Sequence, residues 1–535
     1  MNNKVKPRAG LTELLKKEQP QKLPAQKILD AAFWYPIIGR EQHITNDGPK
    51  QREYLKDIGI DLLNFYNFLY SEGYRRFEFN EESIFIRIVN NKIIRKIKKV
   101  NMMDEIFNFL DLLPDTFEAQ GYEMEKRQLK NVMIKRLDGL FADNRLLSQL
   151  RPKDPIVFNK DGFNTKYMYF LNGYLQISSI NMQFKNYDQL EYYIWESQIL
   201  PHDYNKPIEN SAKDYARRFF FNVSGKNPER LKQLQNIIGY AMHDFTAYKL
   251  KALAFTDGHI DEDGEANGRS GKTLAAKMIG GAICANPYDQ AQKTFVEING
   301  KDFDPADKHK YDQCDMNTQL IVLNDVRKWF DVDNIYNDIT EGISVNKKSL
   351  QPYKINAKMI VITNKTLKIE GDSSRDRFVE FEFSDHYNAD FTPEKDFKHW
   401  FFRDWNNEDY MRYYAFMAEC SQEFFKAGSS LVNPNQVNLN ARKLIDLTSP
   451  DFIEYIEQVL KPDPERVYDK KDIYQGFINA FPDWAEKRKF AQRTLTKWLR
   501  YYVKYKEGFA AWNEAANEPR RNDGLRGWRF VPKKK

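Results

Sequence analysis

Four short apolar runs in the middle of the chain form its clearest hydrophobic pattern. They cover residues 252–255, 319–325, 358–364 and 378–383. Runs this short, bounded by polar and turn residues, predict strands buried on both faces rather than core helices. The segment 274–279 is expected to open a helix after the first run. The whole chain is therefore predicted to be a multidomain α/β protein with its α/β core in this region.

The N-terminal third shows mixed helical and alternating patterns. Residues 1–50 have few periodic apolar positions and are predicted to be a flexible arm. Helices are expected near 62–73 and 102–113, strands at 74–79 and 83–89, and a hairpin over 166–177 that turns at Asn172-Gly173. These elements predict an α+β domain over 51–211. The strongly helical segment 212–245 is expected to lead into the core, 246–440.

The C-terminal segment 441–535 is helical and basic. From Glu486 to Lys535 there are 15 Lys/Arg against 5 Asp/Glu, although the whole chain carries only +6. Helices are predicted at 451–460, 469–481 and 486–506, followed by a turn and a strand over 520–531. This order suggests a winged helix whose third helix contacts DNA through Arg493, Lys497 and Arg500. A basic lid that contacts a partner protein is the alternative.

Composition excludes several classes of protein. The 535 residues exceed a single compact domain, and no apolar run approaches the ~20 residues of a membrane helix. The N-terminus lacks the apolar core of a secretory signal. Three widely separated cysteines provide neither a disulfide framework nor a four-cysteine zinc site. We therefore expect a cytoplasmic protein.

A glycine-rich segment between the first apolar run and its helix has the order of a phosphate-binding loop. The residues expected to bind ATP are Asn267, Gly268, Arg269, Ser270, Gly271, Lys272, Thr273 and Leu274. Lys272 would contact the β- and γ-phosphates, and Thr273 would bind Mg²⁺. The pattern departs from the usual one at Ala266, where a glycine is expected.

The later strands end in polar residues suited to nucleotide hydrolysis. Asp325 is predicted to bind Mg²⁺, although Asn324 stands where a second acidic residue is usual. Asn364 could hold the attacking water, and Arg377 could reach a phosphate bound by a neighbouring subunit. Between these strands, Lys347 and Lys348 lie on a predicted hairpin tip that could contact DNA phosphates.

Taken together, residues 212–387 resemble superfamily 3 helicases of the AAA+ class, and more closely the helicase half of poxvirus-type and phage primase-helicases. The resemblance rests on 220–222, 238–240, 317–325, 339–343, 347–348 and 362–364. It implies an AAA+ P-loop ATPase core, a homo-hexameric ring with ATP at subunit interfaces, and single-stranded DNA in a channel lined by lysine hairpins. It also implies Arg377 as the arginine acting between subunits.

The resulting hypothesis is an ATP-dependent DNA helicase that acts on single-stranded and forked DNA with other replication proteins, for a phage or mobile element. Two alternatives stay open. One is a primase-helicase with an unrecognised priming site, although no Asp-x-Asp at a strand end is found in residues 1–210. The other is an ATP-gated DNA-binding or loader protein, in which Asn324 permits little turnover.

Overall fold

The computed structural model describes residues 33–45, 48–79, 82–90, 92–245, 250–258, 269–289, 293–327, 330–348, 350–364, 367, 377–435, 439–486, 490–521 and 523–533. Within these residues the protein is a multidomain α/β structure that contains a five-stranded parallel sheet. No helix in the described part of the chain is long and apolar enough to cross a membrane.

The N-terminal part begins with a long antiparallel hairpin. Its elements in order are β1 (Trp34–Thr45), β2 (Gly48–Ile60), α1 (Leu62–Ser71), β3 (Tyr74–Phe79), β4 (Glu82–Asn90), β5 (Ile93–Ile97), α2 (Lys99–Asp111), β6 (Thr116–Ala119), β7 (Tyr122–Glu125), α3 (Lys126–Leu140) and α4 (Asp143–Gln149). The prediction of a flexible arm up to residue 50 is therefore wrong for 34–45 and 48–50. Most of this hairpin is polar on both faces and exposed, so it lacks the alternation that marks a strand.

A smaller sheet follows, formed by β8 (Lys166–Phe170), β9 (Gly173–Ile177) and β10 (Met182–Lys185), and the short strand β11 (Ile194–Trp195) pairs with β5. The hairpin predicted at Asn172-Gly173 is confirmed. At Gly173, φ is +153°, and a Cβ there would lie 2.4 Å from the carbonyl oxygen of Lys185. Glycine is therefore required at this turn.

Two helices and the central sheet come next. The helices are α5 (Tyr215–Val223) and α6 (Pro228–Met242), and the remaining elements are β12 (Ala252–Asp257), α7 (Lys272–Gly281), β13 (Phe295–Asn299), β14 (Leu320–Asn324), α8 (Tyr336–Glu341), β15 (Ile343–Val345), β16 (Tyr353–Ile355), β17 (Lys358–Ile362), β18 (Phe378–Phe383), α9 (Pro393–Phe397) and α10 (Asn407–Lys426). The four strands predicted from apolar runs are confirmed. The fifth, β13, was not predicted.

The sheet has the order β13-β14-β17-β12-β18 and is covered on both faces. Alternate residues of β12 separate the two cores: Leu253 and Phe255 pack with α5, α6, α7 and α10, whereas Ala252 and Ala254 pack with β15, β16 and the segment around Tyr311. This alternation follows from the two-residue period of a strand. Burial on both faces explains why these strands are continuous apolar runs in the sequence.

The C-terminal part is a helical unit with its own aromatic core. Its helices are α11 (Leu439–Leu447), α12 (Pro450–Glu454), α13 (Lys470–Ala480), α14 (Asp483–Glu486), α15 (Gln492–Tyr505) and α16 (Glu514–Asn517), with a π-helical turn at Tyr455–Leu460. The third predicted helix thus begins later, at Gln492. Isolated bridges, Arg520 with Arg526 and Tyr468 with Trp528, replace the predicted strand among the described residues. The winged-helix interpretation stays a prediction.

Candidate functional site

The predicted phosphate-binding residues lie at the carboxyl end of β12, where α7 begins. Gly271 precedes the helix with φ +95°, and a Cβ there would approach the ring of Phe219 on α5 to 3.0 Å. Ser270 is buried, Arg269 and Thr273 are exposed, and Leu274 is half-buried. Asn267 and Gly268 lie outside the described residues. The described part of the loop therefore reaches the helix N-terminus, which favours anions.

Lys272 is the first residue of α7 and is almost completely buried. Its ammonium group forms an ion pair with the carboxylate of Asp257, the last residue of β12, and donates to the Ser270 hydroxyl at 3.1 Å. Ser270 also donates to Asp257. A phosphate that bound Lys272 would compete with Asp257 for this charge. Asp257 was missed in the sequence analysis, although its place directly before the loop was a signal.

Thr273 contacts the end of β14, but through Asn324. The Thr273 hydroxyl donates to Asn324 Oδ1 at 3.2 Å, and Asn324 Nδ2 donates to Glu297 Oε1 at 2.7 Å. Glu297 belongs to β13 and also pairs with Lys277 of α7. The structure thus brings together the predicted magnesium-binding hydroxyl and the amide that replaces the usual acid. Glu297 was missed because β13 itself was not predicted.

Asp325, the predicted magnesium ligand, follows directly with φ +61°. Its carboxylate pairs with Lys301 Nζ at 2.7 Å, and its side chain is about half exposed. The carbonyl oxygen of Asn324 accepts from Gly300 N at 2.6 Å, which joins the ends of β13 and β14. Asp325 therefore lies at the same edge as Thr273, and Lys301 is the partner that a bound metal would replace.

The end of β17 lies at this same edge. Thr363 N donates to Phe255 O of β12 at 3.2 Å, and the Thr363 hydroxyl donates to Val326 O at 3.1 Å. These bonds tie the strand ends around Lys272 and Asp325 together. Asn364, the predicted water-holding residue, is the next residue and is half-buried. Its position agrees with the prediction, because the carboxyl ends of parallel strands meet at one edge of a sheet.

Arg377 lies at the opposite edge. It directly precedes β18, its carbonyl oxygen accepts from Ala252 N at 2.8 Å, and its guanidinium lies 3.2 Å from the centre of the Tyr336 ring. Ala252 and Asp257 are separated by five residues of one strand, which corresponds to ~16 Å. The structure therefore does not bring Arg377 to the Lys272 of its own chain.

Lys347 and Lys348 lie on the tip that joins the antiparallel strands β15 and β16, so the predicted hairpin is confirmed. Lys348 is exposed. His309 Nδ1 lies 2.8 Å from the carbonyl oxygen of Asn346, and Tyr353 forms an edge-to-face contact with Phe79 of β3 at 5.4 Å. The segment 299–315, for which sequence provides no interpretation, therefore contacts this hairpin through His309.

The three predicted DNA-contacting residues on α15 are exposed, but one of them is held by an ion pair. Arg493 and Lys497 lie one turn apart on the outer face of the helix. Arg500 pairs with Glu518, with its Nη2 2.6 Å from Glu518 Oε1, and it lies 5.2 Å from the Trp512 ring. A role of Arg500 in DNA contact would have to compete with these structural partners.

No family model matches this chain, and no curated protein matches it. Among solved structures, it is similar to the C-terminal region of NrS-1, residues 305–718, in an apo A form: the TM-score is 0.36 at 12% identity, covering 88% of this chain and 100% of that one. A second structure of that region gives a TM-score of 0.28 at 12% identity, covering 69% and 96%. TM-scores this low assign neither a fold nor a function.

Among the described residues, no group of three or more His, Cys, Asp or Glu side chains is arranged to hold a metal.

Proposed function

We propose that this protein is an ATP-dependent DNA helicase that assembles as a ring and acts in replication for a phage or mobile element. The observation that carries the proposal is the position of Lys272, at the start of α7 and the carboxyl end of β12. In open parallel sheets, ligands bind outside the carboxyl ends of the strands, where the chain switches direction across the sheet. β12 occupies that place. After β12 the chain crosses to the far edge of the sheet at β13, fills the positions of β14 and β17, and then adds β18 on the other side of β12.

Mg²⁺ and ATP are the proposed cofactors. Thr273 and Asp325 would hold the metal, Lys272 would contact the phosphates, and Asn364 would orient the attacking water. These side chains sit at one edge of the sheet, which supports their acting on one nucleotide. The sheet order, with every strand parallel, also agrees with the AAA+ core that the sequence resemblance implies. DNA contact is assigned to Lys347 and Lys348, with Arg493 and Lys497 as a second basic surface.

The test is ATP hydrolysis with and without single-stranded DNA, for wild type and Lys272→Ala. We expect turnover that rises with DNA and falls to background in the variant, because the charge that stabilises the transferred phosphoryl group is lost. Lys232→Ala, at an exposed lysine of α6, is the matched control and should keep wild-type turnover. Strand displacement on forked DNA follows as the assay for unwinding.

Lys272→Ala also leaves the buried carboxylate of Asp257 without its cation, which costs about 3–5 kcal/mol for a buried pair. The variant could therefore lose activity by unfolding. The double variant Lys272→Ala/Asp257→Asn removes that charge and should melt closer to wild type while still lacking turnover. Turnover in this folded double variant would contradict the proposal.

One observation favours a second function. The side chain that meets Thr273 is the amide of Asn324 rather than a carboxylate, and a neutral group removes a proton from water poorly. In an ATP-gated DNA-binding or loader protein, ATP would assemble the ring with little turnover. Wild-type protein that binds ATP and DNA but does not hydrolyse ATP would favour this function over the helicase.

A further inference from the structure

Glu297 is a mostly buried carboxylate that contacts Asn324 on the side opposite Thr273. It lies on β13, whose residues pair in register with β14 so that Asn299 is level with Asn324. Its side chain is about one-fifth exposed. One carboxylate oxygen accepts from Asn324 Nδ2 at 2.7 Å, and the other forms an ion pair with Lys277.

These contacts determine which way the Asn324 amide faces. A carboxylate only accepts hydrogen bonds, so the NH₂ group of Asn324 must face Glu297. The amide oxygen then faces Thr273, whose hydroxyl donates to it at 3.2 Å. Without Glu297, either orientation of the amide could be adopted, and in one of them the NH₂ group would face the metal site.

We propose that Glu297 is a positioning residue that keeps the amide oxygen of Asn324 directed at the Thr273 magnesium site. Residue 324 would then offer Mg²⁺, or a water bound to it, an oxygen of the kind that this ion prefers. This inference rests on the proposed ATP-binding function.

Lys277 completes the arrangement. Its ammonium is largely buried between Glu297 and the rings of Tyr288 and Phe295, at 4.9 Å and 5.4 Å from their centres, and it donates to Pro287 O at 3.3 Å. Lys277 therefore holds one carboxylate oxygen of Glu297 and leaves the other directed at Asn324 Nδ2.

The first measurement is the magnesium dependence of ATP binding, followed with a fluorescent ATP analogue, for wild type and Glu297→Gln. Loss of a residue that orients a metal ligand typically costs about 10–100-fold in metal affinity or activity. We expect Glu297→Gln to need about tenfold more Mg²⁺ for half-maximal binding. Binding of ATP at saturating Mg²⁺ should stay close to wild type, whereas the melting temperature should fall, because the largely buried Lys277 loses its carboxylate partner.

A reciprocal exchange separates positioning from packing. Asn324→Asp alone places two carboxylates within hydrogen-bond distance, so their mutual repulsion should displace the side chain at position 324 and raise the magnesium requirement. In the double variant Glu297→Gln/Asn324→Asp, the NH₂ group introduced at position 297 can donate to the carboxylate introduced at position 324, which keeps an oxygen toward Thr273. The double variant should recover the magnesium requirement of wild type.

The outcomes distinguish this inference from the proposed function. Wild-type protein that binds no Mg²⁺-ATP overturns both. Normal wild-type binding with an unchanged magnesium requirement in Glu297→Gln overturns only the role of Glu297. The role of Glu297 is also overturned if the double variant folds and binds ATP but needs as much Mg²⁺ as the single variants.

Discussion

Lys358, at the start of β17, belongs to a cluster of buried charges between the N-terminal part and the central sheet. Its ammonium donates to the carbonyl oxygens of Tyr240 and His243 at 2.7 and 2.5 Å. Burial lowers the pKa of Lys358 to about 7, reinforced by the Lys166 cation, while Asp161 and Asp244 act in the opposite direction. A neutral amine still has two N–H groups, so it keeps both hydrogen bonds when it loses its proton.

This shift predicts a pH-dependent stability. Since Lys358 titrates near 7 when folded and near 10.5 when unfolded, the unfolded chain binds more protons between these values. The free energy of unfolding should rise with pH in this window, by up to ~1.4 kcal/mol per unit, and stay unaffected by Lys358 below it. In Lys358→Met, the deficit in melting temperature relative to wild type should therefore widen from pH 7 to 9. Lys354→Met, at an exposed position, is the control; melting curves of Lys358→Met that run parallel to wild type would contradict the prediction.

Other groups in the cluster titrate lower and oppose one another. Burial raises the pKa of Asp244 to about 7. Between pH 3.8 and 7 the folded chain keeps a proton that the unfolded chain has lost, so the free energy of unfolding falls as pH rises. Burial lowers the pKa of His243 to about 4, so the folded state is destabilised as pH falls from 6.5 to 4. The window above pH 7 therefore isolates Lys358, and the experiment belongs there.

Sequence predicted the positions of residues that lie in a local motif. Lys272 and Thr273 were expected at the start of a helix after a buried strand, because strand, loop and helix are contiguous in the chain. Asp257, Glu297 and Lys358 could not be predicted, since their partners come from strands far apart in sequence and depend on the order of the sheet. Charged residues inside or beside an apolar run give no sign of which neighbour will neutralise them.

At the scale of elements, sequence predicted the four strands of the central sheet that are continuous apolar runs and missed the fifth. β12, β14, β17 and β18 are continuous apolar runs, but the edge strand β13 carries Glu297 at its centre and ends in Asn299. The predicted helix over 486–506 began too early, because Ala491 has an extended backbone at the N-cap of α15. A polar and basic run gives little sign in sequence of where such a cap falls.

The β15–β16 hairpin supports a prediction at this scale. The loop of the hairpin is held at both ends: His309 Nδ1 lies 2.8 Å from the carbonyl oxygen of Asn346, and Tyr353 packs on Phe79. Neither contact uses Lys347 or Lys348, so removing their charges should leave the hairpin folded. We expect Lys347→Ala/Lys348→Ala to keep basal ATP hydrolysis but lose most of its stimulation by single-stranded DNA, because phosphate contacts are lost. Stimulation and its salt dependence would be measured beside Lys308→Ala, an exposed lysine in the segment 299–315. Full stimulation by single-stranded DNA in the double variant would show that Lys347 and Lys348 do not contact the DNA.

At the scale of the whole molecule, the N-terminal part contacts the core beside this hairpin. Lys96 of β5 pairs with Asp315 at 3.0 Å, and Phe79 packs on Tyr353. Sequence predicted that the chain has several domains, but it could not predict these contacts between them. An ion pair and an aromatic pair between distant residues produce no periodic pattern along the chain. The N-terminal part therefore contacts the core next to the loop that carries Lys347 and Lys348.

Arg377 provides the prediction that tests assembly. Arg377 lies ~16 Å along the strand from the Asp257–Lys272 pair of its own chain, so its proposed role in hydrolysis requires a nucleotide bound by a neighbouring copy. We expect Arg377→Ala to bind ATP but not hydrolyse it, and Arg377→Lys to be equally inactive, since an ammonium does not reproduce the planar guanidinium.

Mixing two inactive variants then decides between action across an interface and a structural role on Tyr336. In an equimolar mixture of Arg377→Ala and Lys272→Ala, random assembly joins an intact Lys272 to an intact Arg377 at about a quarter of the interfaces. Hydrolysis should therefore reappear on mixing and follow the concentration at which rings assemble. Mixing Arg377→Ala with the double variant Lys272→Ala/Arg377→Ala restores no interface and is the control. If the first mixture stays inactive while both proteins assemble and bind DNA, Arg377 does not complete a neighbour's site, because intact pairs would then be present without turnover.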